Sequence, residues 1–156
     1  MLRAFIAPLL LLSIATPCLA QQIPPGIYKV VSMTARVDGA EPKQIFGKAP
    51  RGFAMFTPRR VTFLITAEGR KFGRSVEERA ALWDTLAAYS GEYRVEGSRF
   101  IITVDVSANE IWNGTKHVRN WQLDGDRLTI TTEQAPYSRD PSKMIVVQVV
   151  ADRAQP

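Results

Sequence analysis

The stretch Trp121-Gln122-Leu123-Asp124-Gly125-Asp126-Arg127-Leu128-Thr129-Ile130 has the pattern of a β-hairpin. Apolar residues alternate on both sides of four turn residues, and the glycine suits a tight turn that needs a positive φ. Residues 53–65 and 93–104 repeat this design, with the four turn residues 57–60 and 96–99 between two apolar ones. We expect these apolar residues to face each other as Phe56 with Val61, Val95 with Phe100, and Leu123 with Leu128. Three hairpins of one design predict an antiparallel meander.

The rest of the chain extends this meander to about eight strands, and one helical segment interrupts it. Residues 26–37 alternate as a first strand, and the apolar run 144–150 predicts a last one. From Ser75 the apolar residues recur at steps of three and four, and Ser75 with Glu78 forms a capping box. We therefore predict one α-helix over about residues 75–89, ended by Ser90-Gly91. The apolar positions of this helix are Val76, Ala80, Leu82, Trp83, Leu86 and Ala87.

The strand count predicts the fold class. Eight antiparallel strands in a chain of 156 residues close most economically into an up-and-down barrel, because closure removes the exposed edges. The predicted fold is all-β, an eight-stranded antiparallel barrel with one helix that can cover one mouth or one side. Such a barrel is wide enough to hold one small ligand. A packed β-sandwich is the alternative, and periodicity alone does not distinguish the two.

The N-terminal residues have the layout of a secretory signal peptide. Arg3 gives a positive start, and the apolar run 5–15 is too short to span a bilayer. Small residues precede Gln21, so we expect cleavage after Ala20 and a periplasmic or secreted domain of residues 21–156. A lipoprotein acylated at Cys18 is the weaker alternative, because proline precedes that cysteine.

The composition limits the kinds of partner and cofactor that the protein can bind. Cys18 is the only cysteine and lies in the predicted signal peptide, so the exported domain has no thiolate ligand or disulfide. The single histidine, His117, has no carboxylates at metal-ligand spacing, and we predict neither a metal nor another cofactor. The net charge of +5 comes from scattered basic residues, which indicates a solvated surface and no nucleic-acid partner. We expect no insertion into a membrane once the signal peptide is removed.

Several segments resemble motifs of the bacterial lipocalin-like domain family. They are residues 52–58 (Gly-Phe-Ala-Met-Phe-Thr-Pro), residues 88–93 (Ala-Tyr-Ser-Gly-Glu-Tyr), and residues 112–119 followed by the hairpin 123–128. The similarity runs over residues 26–153 and implies a calyx-like barrel, but little about chemistry. Lipocalins generally open with Gly-x-Trp, whose Trp lies beneath an Arg near the C-terminus. Here Tyr28 takes the place of that Trp, and the resemblance implies a cation–π contact with Arg153.

The strand around His117 carries the best candidate binding site. Along residues 115–123, His117 shares one strand face with Arg119, Trp121 and Leu123, and the pairing of Leu123 predicts that this face points inward. An imidazole, a guanidinium and an indole could then anchor an acidic or carbonyl-bearing ligand in an apolar cup. The alternative is a structural Arg119, bonded to a carboxylate or capping the barrel floor. The predicted ligand-lining residues are Tyr93, His117, Arg119 and Trp121.

The sequence shows no catalytic signature of a nucleophile with a base or of two positioned carboxylates. We expect Asp105 to face solvent, and Ser90 to make a turn hydrogen bond. The aromatic residues fill a core or line a cavity equally well. The predicted function is therefore binding of a small hydrophobic molecule, which can carry an acidic group, in the barrel interior. A barrel enzyme of isomerase or cyclase type and a structural envelope protein with a filled core are the open alternatives.

Overall fold

A computed structural model of the protein describes residues 22–137 and 140–155, and these form a closed antiparallel barrel of eight strands. The predicted fold class is thus confirmed. The elements are β1 (Gly26–Val37), β2 (Lys43–Gln44), β3 (Arg51–Phe56), β4 (Arg60–Thr66), α1 (Val76–Trp83), β5 (Leu86–Glu96), β6 (Arg99–Ser107), a 3₁₀ turn (Glu110–Trp112), β7 (Lys116–Asp124), β8 (Arg127–Thr132), β9 (Ala135–Tyr137) and β10 (Asp140–Arg153).

The barrel closes where the first strand meets the last. β1 pairs with β3 on one side and with β10 on the other, so that Tyr28 lies between Ala54 and Arg153. The remaining barrel strands pair in chain order, β3 through β8 and then β10. The short strands β2 and β9 extend β1 and β10 outside this circuit.

The three predicted hairpins have the predicted register. Phe56 is paired with Val61, Val95 with Phe100, and Leu123 with Leu128. The glycines of the second and third turns, Gly97 and Gly125, have φ values of +61° and +56°, which is the left-handed region that the sequence pattern requires.

The two ends of the barrel differ in their connections. The tight turns of the three hairpins, at residues 57–59, 97–98 and 125–126, lie together at one end, which we call the closed end. The long connections lie at the opposite, open end, because alternate connections of an up-and-down barrel share an end. Those connections include residues 38–50, 67–85 and 108–115 and carry β2, α1 and the 3₁₀ turn.

Tyr28 and Arg153 hold the closed end together, as the family resemblance implies. Tyr28 is fully buried and donates a hydrogen bond from its hydroxyl to the Pro24 carbonyl at 2.9 Å. The guanidinium carbon of Arg153 lies 5.9 Å from the Tyr28 ring centroid, and Arg153 Nη2 donates to the Pro25 carbonyl at 2.9 Å. These contacts join the chain segment before β1 to the end of β10.

The hydrophobic core packs inside the barrel above this floor. Phe56 is its centre, with ring centroids of four other aromatic residues at 5.6–6.2 Å in edge-to-face arrangements, namely Tyr28, Phe63, Tyr93 and Phe100. The buried hydrophobic residues extend from Ile23 to Ala151. Since the core and the barrel closure both lie within the described residues, we expect residues 21–156 to fold on their own.

The helix begins as predicted and ends earlier. Ser75 caps it, with the reciprocal Ser75–Glu78 capping box present, but α1 stops at Trp83. The predicted end at Ser90-Gly91 is wrong, because Leu86 already pairs with Thr66 as the first residue of β5. Pairing with β4 therefore overrides the helical spacing of residues 86 and 87.

The helix lies in the connection from β4 to β5 at the open end, and none of its residues is buried. It therefore covers neither the mouth nor the side of the barrel with an apolar face. Within the described residues, no helix has the length and apolar character needed to cross a membrane. The predicted signal peptide, with Cys18 and the cleavage site after Ala20, lies outside the described residues.

Candidate functional site

A cavity of about 150 Å³, which we call the inner cavity, lies inside the barrel towards its open end. Its wall is largely apolar and comes from six of the eight barrel strands and from the 3₁₀ turn. The polar exceptions are Arg119 and Thr132. The other lining residues are Met33, Phe63, Ile65, Ala87, Tyr89, Trp112, Ile130, Val147 and Val149.

An outer groove of about 400 Å³ adjoins the inner cavity. Lys116, His117, Glu133 and Tyr137 are among the residues that line it. Four residues line both spaces and mark their junction: Trp112, Arg119, Thr132 and Val147. The interior is therefore reached past Arg119.

Strand alternation places Arg119 at this junction. On β7 the inward positions are His117, Arg119 and Trp121, and Leu123 packs against the core as predicted. Arg119 Nη2 donates to His117 Nδ1 at 3.0 Å, and Nη1 donates to the Val118 carbonyl at 2.9 Å. Arg119 is half-buried, and no carboxylate of residues 22–137 or 140–155 forms an ion pair with it. It thus neither pairs with a described carboxylate nor caps the floor, which are the two structural roles considered from the sequence.

Among the described residues, Arg119 is the one charged side chain that lines both the inner cavity and the outer groove. Burial, and secondly the charge of Arg119, lower the pKa of His117 to about 4, so this imidazole is neutral at neutral pH. Because a guanidinium only donates hydrogen bonds, the Nδ1 atom facing it is the acceptor and the ring proton is on Nε2. His117 therefore orients the Arg119 guanidinium without adding a second charge.

Aromatic rings form the wall beside this cation. Tyr89 stacks on Phe63 with ring centroids 4.9 Å apart and an interplanar angle of 25°. The edges of Trp112 and His117 meet Tyr89 at centroid distances of 5.5 Å and 5.6 Å, and Trp112 meets His117 at 5.3 Å. The site thus combines one oriented guanidinium with flat apolar surfaces.

The four predicted lining residues do not all lie at this site. His117 and Arg119 are in direct contact, and Trp121 follows them on the same face, where it is 6% exposed. The Nε1 atom of Trp121 is buried and has no hydrogen-bond partner among the described residues. Tyr93 lies at the closed end, where its hydroxyl donates to the Thr57 carbonyl at 3.0 Å. Neither Trp121 nor Tyr93 lines the inner cavity or the outer groove.

Sequence reasoning misses Tyr89 as a site residue. The predicted helix over residues 75–89 conceals the strand alternation that points Ala87 and Tyr89 into the barrel. Trp112 belongs to the aromatic residues whose role the sequence leaves open, and the 3₁₀ turn places it over the junction.

The polar residues Asp105 and Ser90 lie on the outer wall. Asp105 is exposed as predicted and accepts two hydrogen bonds from the Arg60 guanidinium, at 2.8 Å and 2.6 Å. Ser90 lies in β5, so its predicted place in a turn is wrong. Its hydroxyl donates to the Val61 carbonyl at 3.1 Å and lies 2.8 Å from the Thr62 hydroxyl. These bonds join neighbouring strands and give neither residue access to the interior.

No group of three or more potential metal ligands occurs in the part of the chain that the structure describes.

The chain was compared with known protein families and with curated proteins. The sequence model of a family described as a lipocalin-like domain matches residues 25–154, which is most of the chain. A search of curated proteins finds no match.

Proposed function

Because this chain belongs to the lipocalin-like domain family, we propose that its barrel binds a small carboxylic acid with a compact apolar body, such as a single-ring aromatic acid. The family supports a ligand-binding barrel in general. The class of ligand is supported by the chemistry of the open end of this barrel.

The observation that carries the proposal is the environment of Arg119. A half-buried cation beside an apolar cavity is stabilised by an anion, because partial burial weakens its hydration. Two hydrogen bonds, to His117 and to Val118, fix its orientation. A guanidinium has five N–H donors, so donors remain for the two oxygens of a carboxylate.

The inner cavity supports the compact apolar body. Its volume of about 150 Å³ is comparable to that of an apolar protein cavity that accepts benzene. Tyr89 and Trp112 offer flat surfaces against which an aromatic ring can pack. The carboxylate would remain at the junction, next to Arg119, while the ring lies deeper among the apolar residues.

Titration of residues 21–156 with benzoate and with its neutral analogue benzamide tests the proposal. Because Trp112 lines both spaces, we expect saturable quenching of tryptophan fluorescence by benzoate. We expect affinity about ten-fold higher for benzoate than for benzamide, since a charge-assisted hydrogen bond is lost with the amide. Equal affinities, or no saturation with either compound, would contradict the proposal.

We also propose that the protein acts after export. The support is the layout of residues 1–20, with Arg3, the apolar run and the small residues before Gln21. The intact mass of the protein recovered from its own cells tests this. A chain that starts at Gln21 is expected, and a chain that retains residues 1–20 would contradict it.

A further inference from the structure

Helix α1 carries an apolar stripe that faces solvent. Val76, Ala80 and Trp83 are separated by four and three residues, so they share one face of the helix. All three are exposed, with Val76 at 68% and Trp83 at 58%. Phe72, in the loop just before the helix, is 86% exposed. Such grouped exposure of apolar side chains marks an interaction surface.

Cations lie at the Phe72 end of this stripe, whereas the helix and its C-cap carry the carboxylates Glu77, Glu78 and Asp84. The loop of residues 69–74, which we call the basic loop, reads Gly-Arg-Lys-Phe-Gly-Arg and contains three cations and no carboxylate. Of the helix carboxylates, Glu78 is turned back towards the loop and accepts hydrogen bonds from the backbone N–H groups of Arg74 and Ser75, at 2.6 Å and 3.1 Å. With the three cations of the basic loop against this one carboxylate, the end of the stripe next to Phe72 is positive.

The basic loop is fixed against the helix. Arg70 Nη2 donates to the Leu82 carbonyl at 3.0 Å, and Arg79 Nη1 donates to the Arg74 carbonyl at 3.0 Å. Gly73 is buried, and a Cβ there would lie 2.9 Å from the backbone nitrogen of Arg79. Phe72 is thus presented to solvent by a tied loop.

We propose that the basic loop and the exposed face of α1 dock the open end of the barrel onto a membrane surface that contains anionic phospholipid. At such a surface, exposed aromatic side chains such as Phe72 and Trp83 lie at the headgroup level, and cations lie near the phosphates. A second copy of this chain is the less favoured occupant, because the chain has a net charge of +5, whereas the cations beside Phe72 favour an anionic partner. This docking is independent of the ligand class proposed above.

Flotation of residues 21–156 with lipid vesicles tests the docking. We expect the protein to float with vesicles of phosphatidylcholine mixed with phosphatidylglycerol, to float less with phosphatidylcholine alone, and to dissociate as salt is added. Phe72→Ser with Trp83→Ser, and separately Lys71→Gln with Arg74→Gln, should each lower the bound fraction about ten-fold.

Matched controls lie near the closed end. Ile27→Ser removes an apolar side chain that is 48% exposed, and Lys29→Gln with Arg59→Gln removes two exposed cations. Both controls should float as the unmodified protein does, and all variants should keep its melting temperature. Equal binding to both lipid mixtures, absence of binding, or binding that the loop variants leave unchanged would overturn the proposal. A dimer in sedimentation that Phe72→Ser with Trp83→Ser dissolves would also overturn it, in favour of a second copy.

Discussion

Arg119 Nη2 donates a hydrogen bond to His117 Nδ1 at 3.0 Å, between two inward-facing residues of the same strand. The bond requires an unprotonated Nδ1 atom, and the pKa of His117, about 4, agrees with this state. The mouth of the inner cavity therefore has one cation with a fixed orientation. This relationship is the basis of the ligand class that we propose.

The same pair predicts how stability depends on pH. The pKa of His117 is about 4 in the folded chain and has an ordinary value of 6.5. Between these values the unfolded chain binds the additional proton, so stability is full above pH 6.5 and falls as the pH is lowered towards 4. We expect a loss of about 1–2 kcal/mol, reduced from the full linkage value because the ring is partly exposed.

Urea unfolding at a series of pH values measures this loss, with His117→Gln as the comparison. Glutamine retains an acceptor for Arg119 but does not titrate, so its unfolding free energy should fall less over the same interval. Carboxylates whose pKa is lowered by cations, such as Asp105 beside Arg60 and Asp152 beside Arg127, contribute equally in both proteins. If the unfolding free energy depended on pH identically in the two proteins, this would contradict the lowered pKa of His117.

Removal of the Arg119 charge should abolish the preference for acids. Arg119→Met keeps most of the aliphatic stem and removes the donors, so benzoate and benzamide should bind with similar affinity, about ten-fold weaker than benzoate binds the unmodified protein. Calorimetric titration measures both affinities. Arg36→Met, at an exposed position of β1, is the matched control and should leave them unchanged. A variant at position 119 that still prefers benzoate would place the anion elsewhere.

Arg153 should stabilise the closed end measurably. Arg153→Met removes the cation above the Tyr28 ring and the hydrogen bond to the Pro25 carbonyl. We expect the free energy of unfolding to fall by about 1–2 kcal/mol. Denaturant titration measures the change, again with Arg36→Met as the control for an exposed arginine. Equal stability of the two variants would show that the contact contributes little.

Gly91 should tolerate no side chain. β5 is irregular between Ser90 and Gly91, and a Cβ at Gly91 would collide with the Thr103 backbone carbonyl on β6. Gly91→Ala should therefore cost more than about 2 kcal/mol of stability. The control is Gly97→Ala, in a turn with a φ of +61° and open space around the position, for which we expect about 1 kcal/mol. Similar denaturation midpoints for the two variants would contradict the collision.

The fold was predictable wherever local pattern and turn chemistry agree. Alternation beside Gly97 and Gly125 fixes the hairpin pairs, because a shift of one residue would turn every side chain to the other face. The end of α1 was not predictable in the same way. Leu86 and Ala87 fit a helix by spacing, and only their pairing with β4, a contact distant in sequence, makes them a strand.

The site was predictable in part for a similar reason. Alternation along β7 gives the inward face of His117 and Arg119. Tyr93 also packs inward, but at the closed end against Phe56 and Phe100. Height along the barrel axis depends on strand tilt and stagger, which the local pattern of one strand does not contain.

Native mass spectrometry of the protein purified gently from its own cells tests the central claim most directly. We predict a non-covalent adduct that is lost on denaturation, proves to be a small carboxylic acid, and is absent from Arg119→Met prepared in the same way. A bare protein mass, together with no shift in melting temperature across aromatic and fatty acids, would contradict a ligand-binding barrel. An adduct that Arg119→Met retains would contradict the role of Arg119.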